Sequence, residues 1–316
     1  MNEKKEKNTD MKFNFLKFLY CILFVLCASN AMSQELKLKY LGAAGWEMSD
    51  GKVTILIDPY ISRIKLGSEG AVSKDDYRKS FSANDYIESD TALIDSIIKK
   101  ADFILVHHSH FDHLSDVPYI AKKTKAKIIA TETSCAILRA YGIPDEQLYI
   151  VKGGEDYQFE NFSVQVVPSI HSALNKKHYF DSRTYTDNLK APLMVKDFVE
   201  GGSLMFYIRF ASHTILTAGS MNFLEREVQG LKPDILIPGV NLSRLEIYKY
   251  TERLMNATGF PATVIPTHWD NYRVPYGFSQ QSDVEKKIVP FIAEVKAASP
   301  SSRVITPVHL QTIIIK

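Results

Sequence analysis

The chain is poor in cysteine, has few long apolar runs and carries no excess of one charge. Three cysteines occur in 316 residues, and Cys21 and Cys27 both fall within the first 33. A chain trimmed there keeps Cys135 alone and can form no internal disulfide, which excludes a small disulfide-stapled scaffold. The one extended apolar run, residues 18–28 ("FLYCILFVLCA"), is about 11 residues long, short of the ~20 needed to span a bilayer. Charges nearly balance at a formal +2, and residues 1–33 contain five lysines against three acids, so the body without them is neutral. A neutral body with no basic run excludes nucleic acid as the main partner. A G-x-S-x-G elbow is also missing, and Cys135 lies mid-helix in "SCAILRA", so neither a serine nor a cysteine nucleophile has a framework.

The N-terminus reads as an export signal. Lys12 and Lys17 lie in the charged region before the apolar run, and the small residues of "ASNAMSQ" offer cleavage after Ala31 or Ser33. Bulky Leu26 before Cys27 disfavours lipid attachment. Residues 1–33 are therefore expected to be a signal peptide and 34–316 a single domain. The protein should be exported, periplasmic or extracellular, with no stable membrane span after cleavage.

Beyond the signal, β-type and helical patterns alternate. "LKLKYLG" and "KVTILIDPY" read as an opening meander, "ALIDSIIKKA" as a helix and "DFILVHH" as a buried-type strand. Helix, strand and helix follow in "VPYIAKKTKA", "KIIAT" and "SCAILRAYGI", the order of a sheet covered by helices. A second meander over residues 148–167 opens a loosely repeated half. It contains "SLMFYIRF", "HTILTAGS" and "PDILIPGV" as strands, a helix in "FLEREVQGL" and another over residues 244–259, and the strand "ATVIPTHW". Two long irregular stretches, about 62–90 and 172–200, are of a length usually given to lids or binding loops.

The chemistry is concentrated in "LVHHSHFDHL". His108, His110, Asp112 and His113 form H-x-H-x-D-H at the end of a predicted strand. Positions 108 and 110 of an extended segment face the same way, so two imidazoles converge on one point. Asp112 and His113, where a helix starts, turn toward a neighbouring point. Imidazole and carboxylate are zinc-type ligands, and a hydrolytic zinc site combines three of them with one open position. His107 faces away from His108. His178, in the second long stretch, reads as a solvated loop residue, and His213 and His309 have no supporting pattern.

This motif and its setting resemble the metallo-β-lactamase superfamily of metal-dependent hydrolases, which implies an α/β fold, the four-layer αββα sandwich. Within the superfamily the chain is most similar to the group holding ascorbate-6-phosphate lactonase and N-acylphosphatidylethanolamine phospholipase D. The resemblance implies that His108, His110 and His171 (in "VVPSIHS") hold a first ion, and that Asp112, His113 and His268 (in "VIPTHWDN") hold a second. Many two-metal relatives carry a bridging aspartate where this chain has Ser220, in "ILTAGSMNF". A neutral hydroxyl is a poor bridge, so one or two zinc ions are expected, the second more weakly held, with Asn222 as a further weak ligand. Asp58, ending "TILIDP", is expected either to orient a ligand histidine from outside the metal or simply to start an Asp-Pro turn.

The expected activity is that of an exported zinc-dependent hydrolase. A zinc-activated hydroxide, oriented by Asp112, would attack a small ester, lactone or amide. The alternatives are β-lactam hydrolysis, hydrolysis of a phosphodiester or phospholipid, and a non-catalytic metal-binding member of the fold. The partner is a small-molecule or lipid-like substrate. Redox di-iron relatives carry H-x-E where this chain has His110, which favours zinc and hydrolysis.

Overall fold

Lysine and leucine alternate through β1 (Leu36–Gly42), so Leu36 and Leu38 turn inward while Lys37 stays in solvent. From Tyr40 onward the strand is buried on both faces. The structure is a computed structural model that describes residues 35–67, 76–173 and 183–316. The expected signal peptide and His178 lie outside the described residues. Glu35–Ile315 form one unit, and among the described residues no helix is long and apolar enough to cross a membrane.

After β1 the chain forms β2 (Gly45–Ser49) and β3 (Thr54–Ile57), then a small parallel pair, β4 (Lys65–Leu66) with β5 (Ser80–Phe81). The first sheet is completed by β6 (Phe103–Leu105), β7 (Lys127–Thr131) and β8 (Leu148–Val151). The second contains β9 (Asp156–Gln158), β10 (Phe162–Ser169), β11 (Ser203–Phe210), β12 (His213–Ala218), β13 (Ile235–Ile237), β14 (Thr263–Val264) and β15 (Arg303–Val304). A last strand, β16 (Thr312–Ile315), returns to pair antiparallel with β1. The sheet orders are β16-β1-β2-β3-β6-β7-β8 and β15-β14-β13-β12-β11-β10-β9. Each runs antiparallel through its first half in chain order, then parallel through helical crossovers. This bears out the loose internal repeat seen in the sequence.

One core lies between the sheets, where Leu38, Trp46, Ile57 and Leu105 of the first meet Val164, Val166, Phe206 and Leu216 of the second. A second core lies under the helices Thr91–Ile97, Val117–Thr124 and Glu132–Ala140 on the outer face of the first sheet. The helices Tyr250–Ala257 and Val289–Ala298 bury Leu254, Met255, Phe291 and Val295 beside the second sheet. Helix, sheet, sheet, helix is the αββα sandwich. The expected helix over 244–259 divides into a 3-10 helix, Leu242–Glu246, and the helix Tyr250–Ala257. The run is broken by Ile247, which is extended at φ −99° and ψ 123°, and by Lys249, left-handed at φ 47°.

The site lies at one end of the sandwich. Residues 106–113 leave β6, His171 follows β10, and His268 follows β14, so loops from both sheets meet there.

Candidate metal centre

β6 ends at Leu105, and the chain bends at His107 before reaching His110, which N-caps the short helix Phe111–Leu114. The expected convergence is therefore made just beyond the strand. His108 Nε2 and His110 Nδ1 lie 3.0 Å apart. The His171 ring stands edge-on to both, with centroids 4.8 Å from each. Asp112 and His113, on the first turn of the helix, face His268. His268 Nε2 is 3.2 Å from Asp112 Oδ2, and His113 Nε2 is 3.7 Å from the same oxygen. The six side chains thus form two adjoining triads, His108–His110–His171 and Asp112–His113–His268, each with its ligand atoms within 4.8 Å of one another.

The loops that present them are braced from outside. Ser109 donates from both its backbone N–H and its Oγ to the Glu200 carbonyl, at 3.0 and 2.9 Å. His268 has a left-handed φ of 54° and donates its N–H to the Ala43 carbonyl at 2.7 Å, in the turn between β1 and β2. Asp270 is buried beneath that turn. Its Oδ1 accepts from Tyr40 Oη and Ala43 N, while its Oδ2 meets Arg63 Nη1 at 2.8 Å and His309 Nε2 at 2.9 Å. His309 gave no signal in the sequence, because a contact across 39 residues leaves no local pattern.

Asp58 and His107 are also placed. Asp58 Oδ2 accepts from His113 Nδ1 and His107 Nδ1, both at 2.6 Å, and Oδ1 takes the His107 backbone N–H at 2.8 Å. His107 does face away from His108, yet it shares the carboxylate that orients His113 and reaches Thr217 Oγ1 at 2.9 Å. These three residues also lie within metal-binding range of one another. At 2.6 Å, however, their N···O contacts are hydrogen bonds, whereas two nitrogens on one tetrahedral zinc would sit about 3.3 Å apart.

Ser220 and Asn222 are not aimed as expected. Ser220 Oγ accepts the Ser172 N–H at 2.8 Å and lies 2.9 Å from Ser172 Oγ. Asn222 Oδ1 accepts the Phe223 N–H, and its Nδ2 donates to the His171 carbonyl. Both therefore tether the loop carrying His171, Ser220 through its hydroxyl and Asn222 through its amide nitrogen, while Asn222 Oδ1 is engaged with the Phe223 N–H.

The β-lactamase superfamily domain matches residues 37–268, a span that contains every member of both triads. The chain belongs to that family. It is 28% identical over 137 residues to a UPF0173 metal-dependent hydrolase from Anaeromyxobacter sp., covering 42% of this chain and 42% of that protein. The chain thus matches less than half the length of that relative. Among solved structures, a metallo hydrolase from the archaeon Ignicoccus hospitalis aligns with TM-score 0.56 at 16% identity, over 89% of this chain and 99% of that one. CmlA, a diiron β-hydroxylase from Streptomyces venezuelae, aligns with TM-score 0.55 at 14% identity, over 90% of this chain and 54% of its own. At such identities the likeness concerns the fold alone.

The donor set of this β-lactamase-superfamily domain fits metal ions. Three imidazoles crowd one point with no counter-charge between them, an arrangement that packing alone does not reward. Burial, then the neighbouring His113, His110 and His171, holds His108 well below the ordinary imidazole range. Burial and His110 lower His171 to about 3. Both rings are thus kept neutral, the state in which imidazole binds metal. Burial raises Asp112, but His113 and His268 outweigh it and keep the carboxylate ionised. His108 and His268 turn their Nε2 atoms into the triads, 3.0 Å from His110 Nδ1 and 3.2 Å from Asp112 Oδ2. The triads open into a cavity of about 760 Å³, whose wall includes Phe111, Phe198, Met221, Leu242, Tyr272 and Arg273.

Proposed function

We propose that this protein is an exported, zinc-dependent hydrolase of small esters, lactones or amides. The observation that carries the reading is the pair of adjoining His/Asp triads at the base of a 760 Å³ cavity. Relatives named as metal-dependent hydrolases support the reaction class. His108, His110 and His171 would hold one ion, and Asp112, His113 and His268 the other. The first triad has no carboxylate, and an all-imidazole set suits zinc better than the two-histidine, one-carboxylate set of iron oxygenases.

When bound, a zinc-type ion supplies Lewis acidity and acidifies water into the neutral range. The chain's own residues do the rest. Asp112, ionised and a member of the second triad, would orient the attacking water through the carboxylate oxygen that does not face His113 and His268. Asp58 fixes His113 with its proton on Nδ1, so that Nε2 presents a lone pair toward Asp112 and His268. Phe111, Phe198 and Tyr272 give the cavity an apolar wall for the uncharged part of a substrate.

A panel of aryl esters, lactones, a chromogenic β-lactam, phosphodiesters and phospholipid tests the reading, run with zinc and with chelator. Chelator-sensitive turnover of esters or lactones is expected. Turnover restricted to phosphodiesters would replace the carbonyl reading. Retention of both metal and activity by His110→Ala would end the metal-centre reading altogether.

A further inference from the structure

The turn after His268 carries a cation for which neither triad has a use. The backbone of residues 271–274 is clamped from below by two guanidinium groups. Arg63 donates Nε to the Val274 carbonyl and Nη2 to the Asn271 carbonyl, both at 2.7 Å, and Arg78 donates to the Arg273 carbonyl at 2.9 Å. Each clamping arginine has its own counter-charge, Arg63 in Asp270 and Arg78 in Asp76, both at 2.8 Å. Arg273 differs. Its guanidinium lies over the Tyr272 ring, 5.8 Å from the centroid, and among the described residues no carboxylate pairs with it. Tyr272 in turn sets its ring against His268, at 5.3 Å between centroids. Arg273 is therefore one aromatic ring away from the metal centre, on a rigid turn.

Arg273 also stands where two cavities meet. It lines the metal cavity together with a second one of about 680 Å³, and only Asn241 and Leu242 share that position. The second cavity adds Lys286 and Lys287, of which Lys287 is already bound to Asp283 at 2.7 Å. Of the acids lining the metal cavity, Asp112 belongs to a triad, and Glu246 forms no ion pair with Arg273. Cations thus outnumber acids on both linings, with Arg183 and Lys196 beside Arg273 on the metal cavity and Lys286 on the second. An arginine guanidinium presents a planar fork that matches a carboxylate with two parallel hydrogen bonds. A clamped backbone lowers the ordering cost of making them.

We propose that Arg273 anchors an anion subsite, so that the substrate carries a carboxylate remote from the bond that is cleaved. The proposal rests on the hydrolase reading above and narrows its substrate class. Arg273 is a specificity-determining residue in this scheme, one that touches the substrate away from the reacting atoms.

Two measurements on the zinc-loaded protein test it. The first compares hydrolysis of 4-nitrophenyl acetate with that of mono-4-nitrophenyl glutarate, whose acyl chain ends in a carboxylate. Wild type should show the lower KM for the glutarate ester. Arg273→Met should cut that preference on the order of tenfold, and Arg273→Lys should restore part of it. An unchanged KM ratio in Arg273→Met overturns the proposal. The second measurement needs no turnover: calorimetry of glutarate binding, with affinity about tenfold weaker in Arg273→Met supporting the subsite and equal affinity overturning it. Loss of glutarate affinity in the variant with neither ester hydrolysed by wild type would reject the hydrolase reading while supporting the subsite.

Discussion

At Asp58 a single carboxylate oxygen takes two imidazole N–H groups at 2.6 Å, from His107 and His113. The carboxylate is fully buried. Desolvation pushes its pKa up, but the two histidines outweigh that and hold it at about 2. Asp58→Asn removes the charge that fixes the His113 tautomer, and an outer carboxylate of this kind is worth about 10–100-fold in metal affinity. Titration against a competing chelator should show that loss at the Asp112–His113–His268 triad while the other keeps its ion. Equal weakening of both triads would contradict the assignment. The histidines predict an acid limb of stability. A histidine whose folded pKa lies below the unfolded ~6.5 binds its proton first in the unfolded chain, so its contribution is full above pH ~6.5 and falls as pH drops. His171, at about 3, and His108 both act this way. His113, where Asp58 and Asp112 outweigh burial and raise the pKa, keeps its full contribution below pH ~6.5 and loses it only as pH rises above that value. Below pH ~6.5 only the lowered pair changes, so the urea midpoint of chelator-treated protein should fall as pH drops from ~6.5 to ~4. A midpoint flat across that window would show that these rings are not held neutral.

Among the elements, two turns decide whether the triads keep their shape. Gly219, at the end of β12, faces the His107 ring: a Cβ there would lie 2.6 Å from His107 Cβ and Cγ. Gly219→Ala must therefore displace His107, and with it Asp58, at a cost of about 1–3 kcal/mol for overpacking. Thermal melts should show that loss together with weaker metal binding at the His113 triad; intact metal affinity would separate His107 from the site. The turn after His268 depends on the buried Arg63–Asp270 pair. Arg63→Met strands Asp270 without its main counter-charge, which costs about 3–5 kcal/mol when a buried pair is broken. Urea unfolding measures it, and a loss under 1 kcal/mol would mean that His309 and Tyr40 suffice to hold Asp270. The same elements show what a sequence can disclose. H-x-H-x-D-H was legible because its ligands sit within one short segment, where alternation and helix start dictate direction. His171 and His268 were placed through family resemblance at strand ends. The Asp270 network was not legible, since Tyr40, Arg63 and His309 reach it only through the fold. Nor was the break at residues 247–249, where an extended Ile247 and a left-handed Lys249 interrupt an otherwise helical pattern.

Across the whole molecule, each triad draws two ligands from the loop after the first sheet's β6 and one from a loop of the second sheet. His108 and His110 meet His171, while Asp112 and His113 meet His268. Every ion held there would cross-link the two halves of the sandwich, so metal affinity becomes folding stability. An ion at a free concentration near 1,000 times its Kd stabilises by about 4 kcal/mol, which in a domain of this size corresponds to a Tm rise of about 10 °C. Chelation should lower Tm by that order, and readdition of zinc should restore it. His110→Ala and His268→Ala each disable one cross-link, so each should retain part of the zinc-dependent shift, and the double variant should retain none. A full shift in the double variant would place the stabilising ion elsewhere. A full loss in His268→Ala alone would mean that the first triad does not hold an ion without the second, making the two halves close as a single dinuclear unit.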